Sequence, residues 1–269
     1  FVNSTGAELA YYLWPDYDAE SARFTVRLEG ADAAGELLVW YGNPSAATTS
    51  NRDAVIPIYF DFDDGSLTGW VRQDQYSSPG FTLIDSAGRG KVLKAGPTSL
   101  TAGLYYRELE YSGGGLLCFS ANCPTVGIGH HQEGMEAIAV ATYQGETLLM
   151  THVAAFSNKV QDDSAAGTLY ESFNTFKYAP DSKHTFIHLN SLGFGNWVTH
   201  SIPFSDNGAN KIRIIFKHCD GGGNGANACW DDIYIRTYSA TPPTLVSSST
   251  VLRQAPTRTK DFTGSIVDT

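Results

Sequence analysis

Apolar and polar positions alternate in short runs along most of the chain. Residues 23–28 (Arg-Phe-Thr-Val-Arg-Leu) keep a strict period of two, the repeat of a strand with one buried face. Residues 36–41 (Glu-Leu-Leu-Val-Trp-Tyr) form a second apolar run, ended by Gly42-Asn43-Pro44 because proline cannot continue it. Strand-like runs then recur at 55–62, 81–85, 91–95, 103–110, 116–120, 137–143, 146–155, 184–189, 197–202, 211–217 and 230–238, with turn clusters between them. No segment sustains the i, i+3, i+4, i+7 spacing of an amphipathic helix over three turns. Many short strands with Gly-rich turns predict an all-β chain whose main body is a two-sheet sandwich or jelly roll.

The pattern divides the chain into three parts. Residues 1–53 supply two or three strands, a partial β-sandwich domain too small to stand alone. Residues 54–240 carry the jelly-roll strands. Residues 241–269 open on Thr241-Pro242-Pro243, a stiff extended break. Beyond it Leu245, Val246, Val251, Leu252, Phe262 and Ile266 are the apolar positions of strand-capable stretches. This extended tail is either a linker or a strand that pairs elsewhere.

Composition narrows the class. Hydrophobic residues make up 42 % and charged residues 17 %, too apolar for disorder and too weakly charged for a coiled coil. With 18 Lys+Arg against 28 Asp+Glu the net charge is −10, which argues against nucleic acid as a partner. No apolar run approaches the ~18 residues of a membrane span. The chain starts without Met and shows no signal peptide, as a mature or partial product would.

Four cysteines form two close pairs, Cys118 with Cys123 and Cys219 with Cys229. Four allow three connectivities, and proximity favours the two local disulfides. Metal binding by Cys118 and Cys123 is the rival reading. Disulfides imply an oxidising compartment. Asn3-Ser4-Thr5 is a glycosylation sequon at Asn3.

The best-defined chemical cluster is acidic. Asp61-Phe62-Asp63-Asp64-Gly65 closes one strand run, and Asp231-Asp232 lies near the other end. Ca²⁺ takes six to eight oxygens from carboxylates and loop carbonyls. In a sandwich whose first and last strands pair, Asp61, Asp63 and Asp232, with Asp64 and Asp231 beside them, would meet around such an ion. Solvated acidic turns are the alternative. His130-His131 beside Glu133 and Glu136 lacks the spacing of a zinc site. No nucleophile elbow, S-x-x-K or phosphate loop is present, so an enzyme is not expected. Of the five tryptophans, Trp40, Trp70 and Trp230 read as core, while Trp14 and Trp197 are candidates for stacking on sugar.

Residues 1–12 (Phe-Val-Asn-Ser-Thr-Gly-Ala-Glu-Leu-Ala-Tyr-Tyr), Phe24-Thr25-Val26-Arg27 and Leu38-Val39-Trp40-Tyr41-Gly42-Asn43-Pro44 resemble a bacterial and archaeal surface domain of unknown function. In that family the domain leads into a concanavalin A-like or carbohydrate-binding-type jelly roll. Such a jelly roll opens with F-x-D-F-D-G and closes with D-D-I-x-V-R-x-Y, which residues 61–65 and 231–238 match. The family's domain begins some tens of residues earlier, with one or two further strands. A β-domain lacking a strand has an open slot that a neighbour's strand would fill. Head-to-tail donation propagates into a filament, and the arrangement is similar to extracellular helical fibrils built from sandwich subunits. The resemblance therefore implies an extracellular or cell-surface structural subunit that polymerises with copies of itself. The alternative is a carbohydrate-binding module with glycans as partners.

Overall fold

The computed structural model describes residues 1–3, 5–14, 22–28, 39, 49–74, 80–95, 102–122, 135–157, 184–188, 196–205, 207–219 and 228–237. The elements are β1 (Tyr11–Leu13), β2 (Phe24–Val26), α1 (Arg52–Val55), β3 (Tyr59–Phe60), β4 (Val71–Asp74), β5 (Phe81–Ser86), β6 (Gly90–Ala95) and β7 (Ala102–Glu110). They continue with β8 (Gly115–Asn122), β9 (Met135–Gln144), β10 (Thr147–Ser157), β11 (His184–His188), β12 (Val198–Phe204), β13 (Lys211–Cys219) and β14 (Cys229–Arg236). The described residues are all-β but for α1, and the strands build a jelly-roll-type sandwich, as the alternation of the sequence requires.

Two compact units are formed: Phe1–Tyr59 with Ile235–Thr269, and Phe60–Tyr234. The first boundary lies at Tyr59/Phe60 rather than at 53/54. The run 55–62, expected as one strand, is divided. Asn51 caps a short helix by accepting from the Ala54 N–H (3.2 Å), and Pro57 forces extended backbone after it. The helix belongs to the first unit because Arg27 Nη1 donates to the Ala54 carbonyl (3.1 Å) and Asn51 N–H to the Tyr11 carbonyl (2.9 Å).

In the first unit β1 and β2 pair antiparallel, Tyr11 opposite Val26 and Leu13 opposite Phe24. Phe1, Tyr11 and Phe24 stack on one face with centroids 5.0–6.1 Å apart. Trp14 and Thr25 occupy the other, joined by a 2.9 Å bond from Nε1 to the hydroxyl.

In the second unit one sheet runs β11-β10-β9-β13-β7-β4 and the other β12-β8-β14-β6-β5. Among the described residues β10 and β11 pair parallel, whereas β9–β10, β8–β12, β7–β13, β9–β13, β6–β14, β4–β7 and β5–β6 pair antiparallel. The core lies between the sheets and is aromatic. Phe216 of β13 stacks on Trp70 (5.3 Å) and on Trp230 of β14 (5.9 Å), and Trp230 reaches Phe119 of β8 (5.8 Å). Phe216, Phe119 and Trp230 are fully buried. Full burial of each such ring contributes roughly 1.5–3 kcal/mol or more. β4, which the sequence reading passed over, forms the edge beside β7, Val71 opposite Tyr106. It is short and polar, with little alternation to reveal it.

Candidate functional site

Strand β13 sets the site through its period of two. Ile212, Ile214 and Phe216 turn to the core, so Lys211, Arg213, Ile215 and Lys217 share the opposite face of the sheet. β7 and β9 flank it in register. Glu108 and Ala141 lie opposite Arg213, Tyr106 and Ala139 opposite Ile215, and Tyr143 opposite Lys211. The floor of this face is an apolar cluster of Leu104, Ala137, Ala139, Ala141, Val153 and Ile215, with Tyr143 in it and Tyr106 packed against it. The alanines keep the floor low, so the long side chains around them form the relief.

Arg213 is the centre of that relief. Its guanidinium lies over both diagonal tyrosines, 4.9 Å from the Tyr106 ring and 4.6 Å from the Tyr143 ring. Nε donates to Glu108 Oε2 (2.8 Å) and Nη1 to the Tyr143 hydroxyl (3.4 Å). Lys211 Nζ donates to Glu146 Oε1 (2.7 Å) and stands 3.3 Å from Glu108 Oε1. The Arg213 hydrogen bond holds the Glu108 carboxyl below its usual range, and the bond to Glu146 holds the Lys211 ammonium above its own. Glu108 and Lys211 therefore stay charged at neutral pH. A guanidinium fork, a carboxylate and the half-buried Tyr106 ring are therefore fixed on one surface, with the buried Tyr143 ring supporting the guanidinium from below, and Glu108 keeps 38 % and Arg213 20 % of its side chain exposed.

The acidic segments converge elsewhere, on the β5–β6 hairpin. Asp63 Oδ1 accepts from the Lys91 N–H (3.0 Å). Arg89 Nη1 donates to Asp232 Oδ2 (2.8 Å) and Asp231 Oδ2 (3.1 Å), and Ser120 Oγ donates to Asp232 Oδ2 (3.1 Å). The guanidinium also lies 4.3 Å over Trp197. Asp232 (φ 50°) takes the left-handed conformation that aspartate tolerates better than most residues. Burial, then the neighbouring Asp232 charge, pushes Asp231 up to about 7.

This arrangement does not fit the Ca²⁺ set expected from sequence. The positive charge between Asp231 and Asp232 is supplied by Arg89, whose hydrogens point where an ion would need lone pairs. Asp61 Oδ1 accepts from the Asp63 N–H (3.3 Å) and Asp64 Oδ1 from the Ser66 N–H (2.8 Å), each closing its own turn. Among the described residues no three His, Cys, Asp or Glu side chains converge.

Other expected residues fall as follows. Trp14 is buried, 4 % exposed, with Arg23 stacked on it at 4.1 Å; it serves the core of its unit and is not open to sugar. Trp197 is half-buried beneath Arg89. β8 stays extended from Cys118 through Asn122. No disulfide forms among the described residues; Cys118 is buried, Cys229 half-buried. Cys123 and the Cys219 side chain lie outside the described residues, as do Leu245, Val246, Val251, Leu252, Phe262 and Ile266. Asn3 forms a turn, its Oδ1 accepting from Thr5 N–H (3.1 Å) and Ala7 N–H (2.9 Å).

Sequence reading missed Tyr106, Tyr143, Arg213 and Lys211. The signal was present in Lys211-Ile-Arg213-Ile, where cations alternate with core residues. The diagonal partners needed the register.

Residues 1–73 match the family described as a domain of unknown function (DUF2341). No curated protein matches the sequence significantly. Solved structures similar to the chain include TmCBM61 in complex with β-1,4-galactotriose (TM-score 0.39, 13 % identity, covering 66 % of this chain and 94 % of that one). Another is a family 11 carbohydrate-binding module from Clostridium thermocellum with a β-1,3-1,4-mixed-linked tetrasaccharide (TM-score 0.36, 12 % identity, 67 % and 95 %). A third is the enzymatically active domain of bacteriophage CBA120 tailspike protein 4 (TM-score 0.37, 8 % identity, 65 % and 20 %).

Proposed function

We propose that the second unit is a carbohydrate-binding module that takes a polysaccharide across the face of β7, β13 and β9. The observation that carries this reading is Arg213 held between Tyr106 and Tyr143 with Glu108 on its Nε. Sugars present axial C–H groups on one side and hydroxyls around the rim. The half-buried Tyr106 ring offers an apolar surface to the first, and the guanidinium–carboxylate pair of Arg213 and Glu108 offers adjacent donors and acceptors to the second. The groups are already fixed by one another, so little side-chain entropy is lost on binding. The same chemistry speaks for binding rather than hydrolysis: Glu108 is held ionised, whereas glycoside cleavage needs one carboxyl kept protonated beside another.

A polysaccharide ligand puts the protein outside the cell or on its surface. No described helix is long and apolar enough to cross a membrane. The strand-donating filament expected from sequence rests on tail positions outside the described residues, whereas the binding reading has the geometry of this face.

Affinity electrophoresis of the full chain through gels containing mixed-linked β-glucan, β-1,4-galactan, mannan or xylan tests the reading. At least one polysaccharide retards the protein, and Tyr106→Ala and Arg213→Ala each weaken the retardation with the melting temperature little changed. Free migration in all four gels overturns it, as does retardation that both variants retain in full.

A further inference from the structure

The first unit contains an open cleft of about 420 Å³, lined by Tyr12, Thr49, Ser50, Asn51, Arg52 and Asp53. That volume is within the usual range of small-ligand sites. We propose that this cleft is a second saccharide site, specific for a neutral sugar and independent of the sheet face.

The cleft is built rather than incidental. Three hydrogen bonds strap its polar wall, residues 49–51, to β1. Thr49 N–H donates to the Tyr11 hydroxyl (3.3 Å), Asn51 N–H to the Tyr11 carbonyl (2.9 Å), and Leu13 N–H to Ser50 Oγ (2.9 Å). The aromatic wall is fixed as well, since Tyr12 stacks edge-on against the buried Trp14 (5.1 Å). Arg52 is pinned by its stack on Tyr59 (4.3 Å).

The chemistry of the walls selects the ligand. One tyrosine ring stands against two hydroxyls, an amide, a guanidinium and a carboxylate. The helix cap uses Asn51 Oδ1 and leaves its Nδ2 hydrogens as donors. Arg52 Nε and Asp53 Oδ1 are 3.2 Å apart and cancel in charge, while the Asp53 carboxylate remains 80 % exposed as an acceptor. An anion would meet Asp53, a cation would meet Arg52, and an apolar molecule would strip water from all five polar residues. A polyhydroxylated neutral ring satisfies donors and acceptors together and stacks its C–H face on Tyr12.

The test is saturation-transfer NMR on the full chain with cellohexaose, mannohexaose and xylohexaose, and with hexagalacturonate as a charged control. The background is the double variant Tyr106→Ala/Arg213→Ala, which removes the sheet-face site. At least one neutral hexasaccharide still receives saturation there. Adding Tyr12→Ala weakens it by roughly tenfold or more. Asn51→Ser, which keeps a capping oxygen but removes the Nδ2 donor, weakens it too. Circular dichroism and tryptophan fluorescence verify that each variant is folded. The proposal is overturned if the double variant binds no neutral sugar, if hexagalacturonate binds as well as the neutral sugars, or if folded Asn51→Ser retains full affinity. Loss of all binding in the double variant removes this cleft while leaving the sheet-face reading intact.

Discussion

Arg89 Nη1 lies 2.8 Å from Asp232 Oδ2, although 143 positions separate the two residues. The hairpin between β5 and β6 is thereby tied to the last strand of the sandwich. Asp231 is 4 % exposed at this contact and Arg89 24 %, so water screens the pair only in part. Arg89→Ala strands two carboxylates and should cost about 2–3 kcal/mol, toward the low end for a broken buried pair. Arg89→Lys recovers part of that loss, because an ammonium keeps the charge but cannot stack on Trp197. Urea midpoints of the three proteins check both statements.

Because a guanidinium fills the space between Asp231 and Asp232, the melting temperature should be the same in EDTA as in excess Ca²⁺. A rise with Ca²⁺ that disappears in Asp232→Asn would return a cation to this corner.

Asp231 sets a pH dependence of unusual sign. Its folded pKa is raised to about 7, while the unfolded value is near 4. Between those values the native state holds the extra proton. Stability from this group is full below about pH 4 and falls as pH rises toward 7, by about 1.4 kcal/mol per unit where the effect is fully developed. Burial lowers the pKa of His152 and His200, so their contribution is full above about 6.5 and is lost on acidification below it. Asp231→Asn should therefore move the pH of maximum stability upward. Urea midpoints between about pH 4 and 8 measure the shift, and an unmoved optimum would refute it.

Gly90 and Gly88 form a matched pair on the hairpin, with φ of 80° and 77°. A methyl group at Gly88 meets nothing within 4 Å, whereas one at Gly90 collides with the Asp63 carboxylate. Gly88→Ala should cost only the left-handed strain, about 1 kcal/mol. Gly90→Ala should cost about 1–3 kcal/mol more, because the Asp63–Lys91 bond must also break. Equal losses in thermal denaturation would contradict this placement of Asp63.

Arg213→Lys separates charge from shape on the sheet face. The ammonium cannot lie flat between Tyr106 and Tyr143 or present a fork. Polysaccharide affinity should fall by roughly tenfold, with stability lowered by less than about 1 kcal/mol. Isothermal calorimetry and thermal denaturation read the two effects separately.

Much of the strand inventory was legible because a half-buried strand writes its period of two into the chain. The runs at 81–85, 91–95, 116–120 and 211–217 became β5, β6, β8 and β13. The run at 55–62 misled because its hydrophobicity is shared by a capped helical turn and a two-residue strand, and only Asn51 and Pro57 tell them apart. β4 left no trace because Val71-Arg-Gln-Asp has one apolar residue. Trp14 was misjudged because the proline and aspartate after it look like surface, while Arg23 and Thr25 close over the ring.

The sequence alone determined the all-β class, the acidic balance and the presence of two acidic segments, since these depend on local period and composition. Only the tertiary structure decided what meets them. Arg89 bonds to both Asp231 and Asp232, and Arg213 finds Tyr106 and Tyr143 by diagonal cross-strand contact. Charge partners and diagonal neighbours are fixed by register between distant strands, and register is a property of the packed sheets that no local pattern records.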